Sequence, residues 1–242
     1  MKFFDIASIA MKPSGLQAIT RWKPFSITSF HMLQTLARQG LQFRTIIDGG
    51  SNIGQFARAA TETFPEARVY SFEPLPDIAT KLRQNLAGRS QVKITEAALG
   101  NEDGKITFNR AAYSLASSAL PIHKENNASF SGVEEIEKLE VDIVRLDSVL
   151  ANELLESPCL LKLDLQGFEM EALKGATETL KRCDYVLLET ALKTMYEGEA
   201  LFDEIYDFMR NANYRFLRPV DFLMDAQGEI VQLDALFARQ DG

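Results

Sequence analysis

Residues 44–99 alternate between two kinds of hydrophobic pattern. Three short apolar runs, RTIIDGG, RVYSFEP and VKITEAAL, end at glycines or polar residues, which is typical of buried parallel strands. Apolar residues recur with helical spacing from Ile53 to Phe64, between the first two runs, and Pro76 opens a second helical segment. The order strand, helix, strand, helix, strand predicts a parallel sheet with right-handed crossovers.

The centre of the chain has a different pattern. KITFN (105–109) and LEVDIVRLD (139–147) alternate between apolar and polar residues, which predicts an antiparallel pair of strands. A long polar stretch separates them and includes Ser117, Ser118 and a glutamate-rich run at 134–140. Insertions of this length in a compact domain are functional or disordered, and we expect this one to lie over the site as a loop or lid.

Strand and helix patterns alternate again towards the C-terminus. CLLKLDLQG and DYVLLET predict two more strands, separated by one helix that carries Phe168, Ala172, Ala176 and Leu180. A last helix covers 201–212. YRFLR and IVQLDALFARQ predict an antiparallel hairpin at the edge of the sheet.

The segments together predict an α/β fold, a mostly parallel sheet with an antiparallel edge. Ahead of the first strand, SFHMLQTLAR (29–38) predicts a short amphipathic helix, and the residues before it are rich in turn formers. We therefore expect an N-terminal helical cap, residues 1–40, followed by one domain, residues 41–242.

Composition and charge restrict which partners the protein can bind and indicate its cellular compartment. The chain has 26 basic and 34 acidic residues, a net charge of −8, which argues against a nucleic acid partner. No apolar run is long enough for a membrane span. The only cysteines, Cys159 and Cys183, lie in apolar runs and are interpreted as buried thiols, so we expect a cytoplasmic protein. No feature of the sequence indicates an oligomeric state.

Carboxylates stand at the carboxyl ends of the predicted parallel strands. Asp48, Glu73, Asp164 and Glu189 each follow or end such a run. Ligands of open α/β sheets bind beyond these strand ends, where the side chains share one edge. The pattern therefore indicates one shared site.

The glycine-rich turn after the first strand restricts the ligand. Gly54 is followed by Gln55, which excludes a phosphate-binding loop, and GGSNIG lacks the G-x-G-x-x-G spacing of a dinucleotide site. The pattern that fits is an acid with two glycines, Asp48, Gly50 and Gly54. An acid beside a helix N-terminus suits a ligand that has both an ammonium and a carboxylate group, such as an amino-acid moiety.

Glu73 adds a second indication about the ligand. An acid at the end of the second strand of such a unit accepts hydrogen bonds from ribose hydroxyls. Additional carboxylates nearby would repel a diphosphate but not a sulfonium cation. Charge therefore favours S-adenosylmethionine over a nicotinamide dinucleotide.

Five segments in order carry a resemblance to a known family: DGGSNIGQF, YSFEP, AALGNEDGKITF, VDIVRLDSVL and KLDLQGFEMEALKGA. Over about residues 44–190 the chain resembles the FkbM family of S-adenosylmethionine-dependent methyltransferases. The resemblance implies a Rossmann-like class I methyltransferase fold. It also implies methylation of hydroxyl oxygens on sugars, polyketides and related metabolites.

The resemblance implies roles for individual residues as well. The turn after the first strand matches the family's methionine-binding loop, Glu73 its ribose acid, and the end of the third strand the place where adenine packs. The expected cofactor-binding residues are Asp48, Gly49, Gly50, Asn52, Gly54, Glu73, Ala97 and Ala98.

Methylation of a hydroxyl also needs a group that takes its proton. Asp164 and Glu169, which with Gly167 match the family's fourth-strand motif, are the first candidates for this catalytic role, and His123 in the insertion is the second. Asp164, Glu169 and Glu189 have an alternative role, binding a divalent metal ion. Lys162, between two leucines, is interpreted as a structural cation.

The sequence therefore predicts an S-adenosylmethionine-dependent methyltransferase that modifies a hydroxyl on a sugar or small metabolite. Two alternatives stay open at this point. One is a nucleotide-dependent oxidoreductase on a similar fold. The other is a non-catalytic module that binds the cofactor only.

Overall fold

A seven-stranded sheet forms the centre of the computed structural model, which describes residues 15–112, 114–123 and 135–240. The strand order is β3-β2-β1-β7-β8-β10-β9, and the first five strands in that order run parallel. Strand β10 is antiparallel to both of its neighbours, so the predicted hairpin at the edge is confirmed. The strands are β1 (Thr45–Gly49), β2 (Arg68–Phe72), β3 (Val92–Thr95), β7 (Cys159–Leu163), β8 (Tyr185–Ala191), β9 (Tyr214–Met224) and β10 (Ile230–Arg239).

Helices cover both faces of this sheet, which confirms the predicted α/β class. None of the helices in the described ranges is long and apolar enough to cross a membrane. They are α1 (Gly15–Arg21), α2 (Ile27–Arg38), α3 (Gln55–Thr63), α4 (Pro76–Asn85), α5 (Leu146–Val149), α6 (Glu169–Lys174), α7 (Thr177–Leu180) and α8 (Phe202–Asn211).

A second, three-stranded sheet stands beside the first. It contains β4 (Ala98–Leu99), β5 (Gly104–Ala111) and β6 (Glu135–Val144) in the order β4-β6-β5. Strands β5 and β6 are antiparallel, as predicted. The run VKITEAAL is not one strand, because the chain leaves the main sheet after Thr95 and Ala98 pairs with Ile143 of the small sheet.

The prediction of a single helix behind β7 is wrong. The segment forms two short helices, α6 and α7, that meet at Gly175. The Gly175 carbonyl accepts a hydrogen bond from the backbone N–H of Asp147, and the Asp147 carboxylate accepts from the backbone N–H groups of Glu178 and Thr179. Asp147 thus ends one helix and caps the next.

Helix α2 confirms the amphipathic segment predicted before the first strand. Ser26 caps it by accepting a hydrogen bond from the backbone N–H of Ser29, at 3.2 Å. Phe30, Leu33 and Leu36 are fully buried in a core that also contains residues of β1 and α3. The division of the chain at residue 40 stays a prediction, since α2 shares this core with the sheet.

Candidate active site

The turn between β1 and α3 packs its backbone directly against the end of β7. Gly50 has a φ of +76°, and a Cβ placed on it would lie 1.9 Å from the carbonyl oxygen of Asp164. Only glycine allows this approach. The neighbouring Ser51 N–H donates to the carbonyl of Phe72, at the end of β2. The turn is thereby fixed between two strand ends.

Glu73 connects the next strand end to the same turn. Its Oε2 accepts a hydrogen bond from the backbone N–H of Asn52 at 2.9 Å, and its Oε1 accepts from that of Leu75 at 3.0 Å. The side chain is buried, and burial raises the pKa of Glu73 to about 7. Each carboxylate oxygen has a second lone pair, so Glu73 still has capacity to accept two ligand hydroxyls.

A cleft opens in front of Glu73. Its polar end is formed by Glu73, Asn52 and Gly50, whereas its walls are largely apolar. Ala97 and Ala98, two of the predicted cofactor-binding residues, line it. An apolar slot with a buried hydroxyl acceptor at one end has the chemistry that a nucleoside requires. The further apolar lining residues are Phe72, Pro74, Leu75, Leu99, Phe108, Leu115, Ala119, Leu165 and Phe168.

A second cavity adjoins the first. Its far wall is the N-terminal part of α2, and Lys162 and Glu189 lie in its floor. The residues that line both cavities are Gly50, Asn52, Leu115, Asp164 and Gln166. Asp164 therefore stands where the two cavities meet.

Lys162 is the cation of this junction, which agrees with its interpretation from the sequence as a structural cation. Its Nζ lies 3.3 Å from Asp48 Oδ1 and 3.5 Å from Asp164 Oδ2. Burial lowers the pKa of Lys162, but the two carboxylates outweigh it, and the net direction is upward. For Asp164, burial raises the pKa, but the charge of Lys162 together with the hydrogen bonds from Gln166, Glu189 and Lys162 outweighs it, and the net direction is downward. Asp164 is therefore an anion at neutral pH.

Gln166 organises the carboxylates around Asp164. Its Nε2 donates to Asp164 Oδ1 at 2.9 Å and to Glu189 Oε2 at 2.6 Å, while its Oε1 accepts from the Tyr196 hydroxyl at 2.8 Å. The backbone of Gln166 has a φ of +55°, a conformation that few side chains other than Asn and Asp adopt readily. The signal for Gln166 was its position two residues after a strand-end acid, Asp164.

Three of the predicted cofactor residues support the turn from behind and do not line either cavity. Asp48 is fully buried and faces Lys162. Gly49 packs against Leu163, and a Cβ there would lie 2.7 Å from its Cδ2. Gly54 begins α3 with a φ of +95°. A direct contact from the Asp48 carboxylate to a ligand is therefore not part of this geometry.

Two of the three predicted catalytic residues also lie outside the cavities. Glu169 is buried, and its Oε1 accepts from the backbone N–H of Leu165 at 2.5 Å. Burial raises the pKa of Glu169 to about 8. The backbone N–H of His123 donates to the carbonyl of Met195, and His123 lies close enough to Glu199 to act on its charge. Only Asp164, of the three, faces the junction.

The described part of the predicted lid does reach the site. A 3₁₀ turn, Ser114–Ala116, places Leu115 between the two cavities, and Ser118 Oγ donates to the Gln166 carbonyl at 2.7 Å. The rest of the predicted lid, 124–134, lies outside the described residues. Within the described ranges, no group of three or more His, Cys, Asp or Glu is arranged to hold a metal ion.

Comparison with known proteins identifies the family. The Methyltransferase FkbM domain matches residues 48–216. The chain is 28% identical over 171 residues to the 2-O-methyltransferase NoeI of Sinorhizobium fredii, covering 68% of this chain and 70% of NoeI. It is 26% identical over 224 residues to the 31-O-demethyl-FK506 methyltransferase FkbM of Streptomyces tacrolimicus, covering 82% and 84%. It is 24% identical to the hexuronic acid methyltransferase AglP of Haloferax volcanii, covering 65% and 60%.

Solved structures agree on the fold. Fibrillarin from Aeropyrum pernix, with natively bound S-adenosyl-L-methionine, superposes with a TM-score of 0.50 at 10% identity, covering 87% of this chain and 76% of that one. The family match and the named relatives favour methyl transfer over the nucleotide-dependent oxidoreductase that the sequence left open. The chain belongs to the FkbM methyltransferase family and is an S-adenosylmethionine-dependent methyltransferase with a Rossmann-like fold.

Proposed function

We propose that the protein methylates a hydroxyl group of a small-molecule or glycan acceptor. The observation that carries this proposal is the position of Asp164 on the wall of both cavities. One cavity suits a nucleoside, so the other is left for the acceptor. The names of three relatives, a 2-O-methyltransferase, a 31-O-demethyl-FK506 methyltransferase and a hexuronic acid methyltransferase, support an oxygen-rich acceptor for this chain too.

The residues of the first cavity fit S-adenosylmethionine. Glu73 offers two free lone pairs to ribose hydroxyls, and Ala97 and Ala98 leave room for the adenine ring. Gly50 and Asn52 line both cavities, so they would hold the methionyl portion of the cofactor. S-adenosylmethionine supplies the electrophilic methyl group when it is bound.

Asp164 accepts the proton that the acceptor hydroxyl loses on methylation. Lys162 keeps Asp164 ionised, and Gln166 fixes its orientation through the 2.9 Å hydrogen bond to Oδ1. Proton transfer to a positioned side chain contributes typically 10²–10⁴-fold to a rate. Glu169 and Asp48 serve this arrangement as positioning residues, the first through the Leu165 backbone and the second through Lys162.

Helix α2 closes the acceptor cavity from the N-terminal side. Ser26, Thr28, Ser29 and Met32 line it, which supports the proposal that the N-terminal helices form a cap over the acceptor.

We also propose a cytoplasmic location. Cys159 and Cys183 are buried free thiols with their Sγ atoms 3.6 Å apart, as in a reducing compartment.

The test is a transfer assay with methyl-labelled S-adenosylmethionine and a panel of polyhydroxylated acceptors. We expect label on an acceptor oxygen and formation of S-adenosylhomocysteine only when an acceptor is present. Label on nitrogen or carbon alone would contradict the hydroxyl assignment. Tight cofactor binding with no transfer to any acceptor in the panel would favour the non-catalytic module.

A further inference from the structure

Tyr196 lies in the segment that follows β8, and its hydroxyl stands between two parts of the site. The side chain is buried, with 4% of its surface exposed. The hydroxyl lies 2.8 Å from Oε1 of Gln166 and 3.2 Å from the carbonyl oxygen of Ala116. Ala116 ends the 3₁₀ turn Ser114–Ala116, which we call the lid turn. Tyr196 therefore connects the lid turn to the side chain that holds Asp164.

The Tyr196 hydroxyl is a donor towards Gln166. Burial, followed by the charges of Glu189 and Asp164, raises the pKa of Tyr196, so the hydroxyl keeps its proton at neutral pH. A hydroxyl has one proton to donate, and both of the oxygens beside it here are amide acceptors. Oε1 of Gln166 is the nearer of the two, so the side-chain amide receives the stronger hydrogen bond.

The two ends of the Gln166 amide have opposite hydrogen-bonding properties. The Nε2 end donates to Asp164 and Glu189, whereas the Oε1 end accepts from Tyr196. Rotation of the amide by half a turn would place Oε1 against the carboxylate of Asp164, where two acceptors would face each other. A donor on the far side of the amide opposes this rotation, because it binds the oxygen there. Tyr196 provides that donor.

The fold brings Tyr196 to Gln166 through a close approach at Gly167. Gly167 has a φ of +93°, and a Cβ placed on it would lie 3.1 Å from Cβ of Tyr196 and 3.0 Å from Cβ of Glu199. Glu199 in turn accepts a hydrogen bond from the backbone N–H of Tyr196 at 2.9 Å. Ser118 Oγ donates to the backbone carbonyl of Gln166 at 2.7 Å. Separate contacts thus fix the backbone of Gln166 and the segment that carries Tyr196.

Resting on the proposed function, we propose that Tyr196 is a positioning residue for methyl transfer: its hydroxyl fixes the Gln166 amide so that Nε2 faces Asp164. A hydrogen bond from the amide favours the ionised form of Asp164 and holds it in one orientation, as a proton acceptor requires. The same hydroxyl reaches the carbonyl of Ala116. The lid turn, which places Leu115 between the two cavities, is therefore connected to the orientation of the proton acceptor.

Other groups also act on Asp164, so the contribution of Tyr196 has to be measured as a difference between variants. Burial raises the pKa of Asp164, whereas the charge of Lys162 and the hydrogen bond from Gln166 lower it. Replacing the Tyr196 hydroxyl leaves the charges of the other neighbours in place. The titratable groups that interact electrostatically with Asp164 are Lys162, Glu169, Glu189, Tyr196 and Asp234.

The test is a titration of the Asp164 carboxyl carbon by carbon-13 NMR in the free protein, with Asp164→Asn to assign the signal. Tyr196→Phe should raise the pKa of Asp164 by at least about half a pH unit. Tyr214→Phe is the matched control and should not change it, because the buried Tyr214 hydroxyl also contacts backbone carbonyls but lines neither cavity. An unchanged pKa of Asp164 in Tyr196→Phe overturns the proposal.

A double-variant cycle tests whether Tyr196 acts through Gln166. Gln166→Met removes the amide and keeps a side chain of similar length. Adding Tyr196→Phe to this variant should then produce no further change in the pKa of Asp164. A further rise as large as that caused by Tyr196→Phe alone would show that the hydroxyl acts without the amide, and this result would also overturn the proposal.

Kinetics separate this proposal from the proposed function. On an acceptor that the transfer assay identifies, Tyr196→Phe should lower kcat at least about tenfold and leave the KM for S-adenosylmethionine within a few-fold of the wild-type value. A wild-type kcat in this variant contradicts the positioning role. The NMR titration needs no acceptor. Absence of transfer by the wild-type protein would therefore contradict the proposed function, whereas an unchanged pKa of Asp164 would contradict the role of Tyr196 alone.

Discussion

The backbone N–H of Asn52 donates a hydrogen bond of 2.9 Å to Oε2 of Glu73, across 21 residues of sequence. This bond joins the glycine turn after β1 to the acid after β2. Both groups open into the same cleft. The cofactor assignment depends on this convergence, because neither feature alone forms a nucleoside site.

Replacing Glu73 should weaken cofactor binding. Glu73→Gln removes the charge and one of the acceptors, so we expect the Kd for S-adenosylmethionine to rise at least about tenfold. Glu96→Gln is the matched control, since Glu96 pairs with Arg83 at the surface and does not line the cleft. Calorimetry measures both. Equal affinities in Glu73→Gln and wild type would contradict the ribose assignment.

Cofactor affinity should depend on pH through Glu73. The pKa of Glu73 is raised to about 7, so the ionised form, which accepts from two ribose hydroxyls, is lost as pH falls through 7. We expect the Kd of the wild-type protein to be about tenfold weaker at pH 6 than at pH 8. The Glu73→Gln variant should lack this step. A step of the same size in both proteins would assign it to another group.

Gly50 should tolerate no side chain. Gly50→Ala introduces a Cβ 1.9 Å from the Asp164 carbonyl oxygen at a φ of +76°, and we expect a loss of roughly 3–5 kcal/mol of unfolding free energy. Gly88→Ala measures the cost of the backbone conformation alone, because Gly88 has a φ of +80° and a Cβ placed on it would have no neighbour within 4 Å. That variant should lose about 1 kcal/mol. Urea denaturation giving similar losses for the two would argue against the close approach.

Removing the Lys162 ammonium should leave the buried carboxylate of Asp48 and the partly exposed one of Asp164 without a cation. We expect Lys162→Met to lower the free energy of unfolding by about 3–5 kcal/mol. The double variant Lys162→Met with Asp48→Asn should recover part of that loss, because one of the two charges is gone. A double variant as unstable as the single one would show that Lys162 and Asp48 are not coupled.

Asp164 should affect turnover far more than cofactor affinity. Asp164→Asn keeps the shape and removes the proton acceptor, so we expect kcat to fall by about 10²–10⁴-fold. The Kd for S-adenosylmethionine should stay within a few-fold of the wild-type value. Steady-state kinetics and calorimetry on the same preparation make this comparison. Full turnover in the variant would show that Asp164 does not accept the proton.

The hydrophobic pattern predicted the seven strands of the main sheet because a buried strand has its own run of apolar residues, such as TIID and CLLKL. The break at Gly175 was not predictable in this way. It depends on hydrogen bonds with Asp147 of a distant segment, whose backbone N–H donates to Gly175 and whose carboxylate accepts from the backbone N–H of Thr179. Tertiary contacts of this kind override a helical periodicity that is otherwise continuous.

The site was predictable only as far as strand ends share one edge of the sheet. That rule brought Glu73 and Asp164 together correctly, but it does not state which way a side chain points. Asp48 and Glu169, for example, are buried, and the rule did not predict this. The pairing of Lys162 with Asp48 follows from strand register, which a single sequence does not display.

A crystal structure of the protein with S-adenosylhomocysteine tests the central claim most directly. The account predicts the ribose hydroxyls within hydrogen-bond distance of Glu73, the adenine against Ala97 and Ala98, and the sulfur facing the cavity shared by Asp164 and Glu189. A ligand bound away from Glu73, or with its sulfur turned away from Asp164, would contradict it.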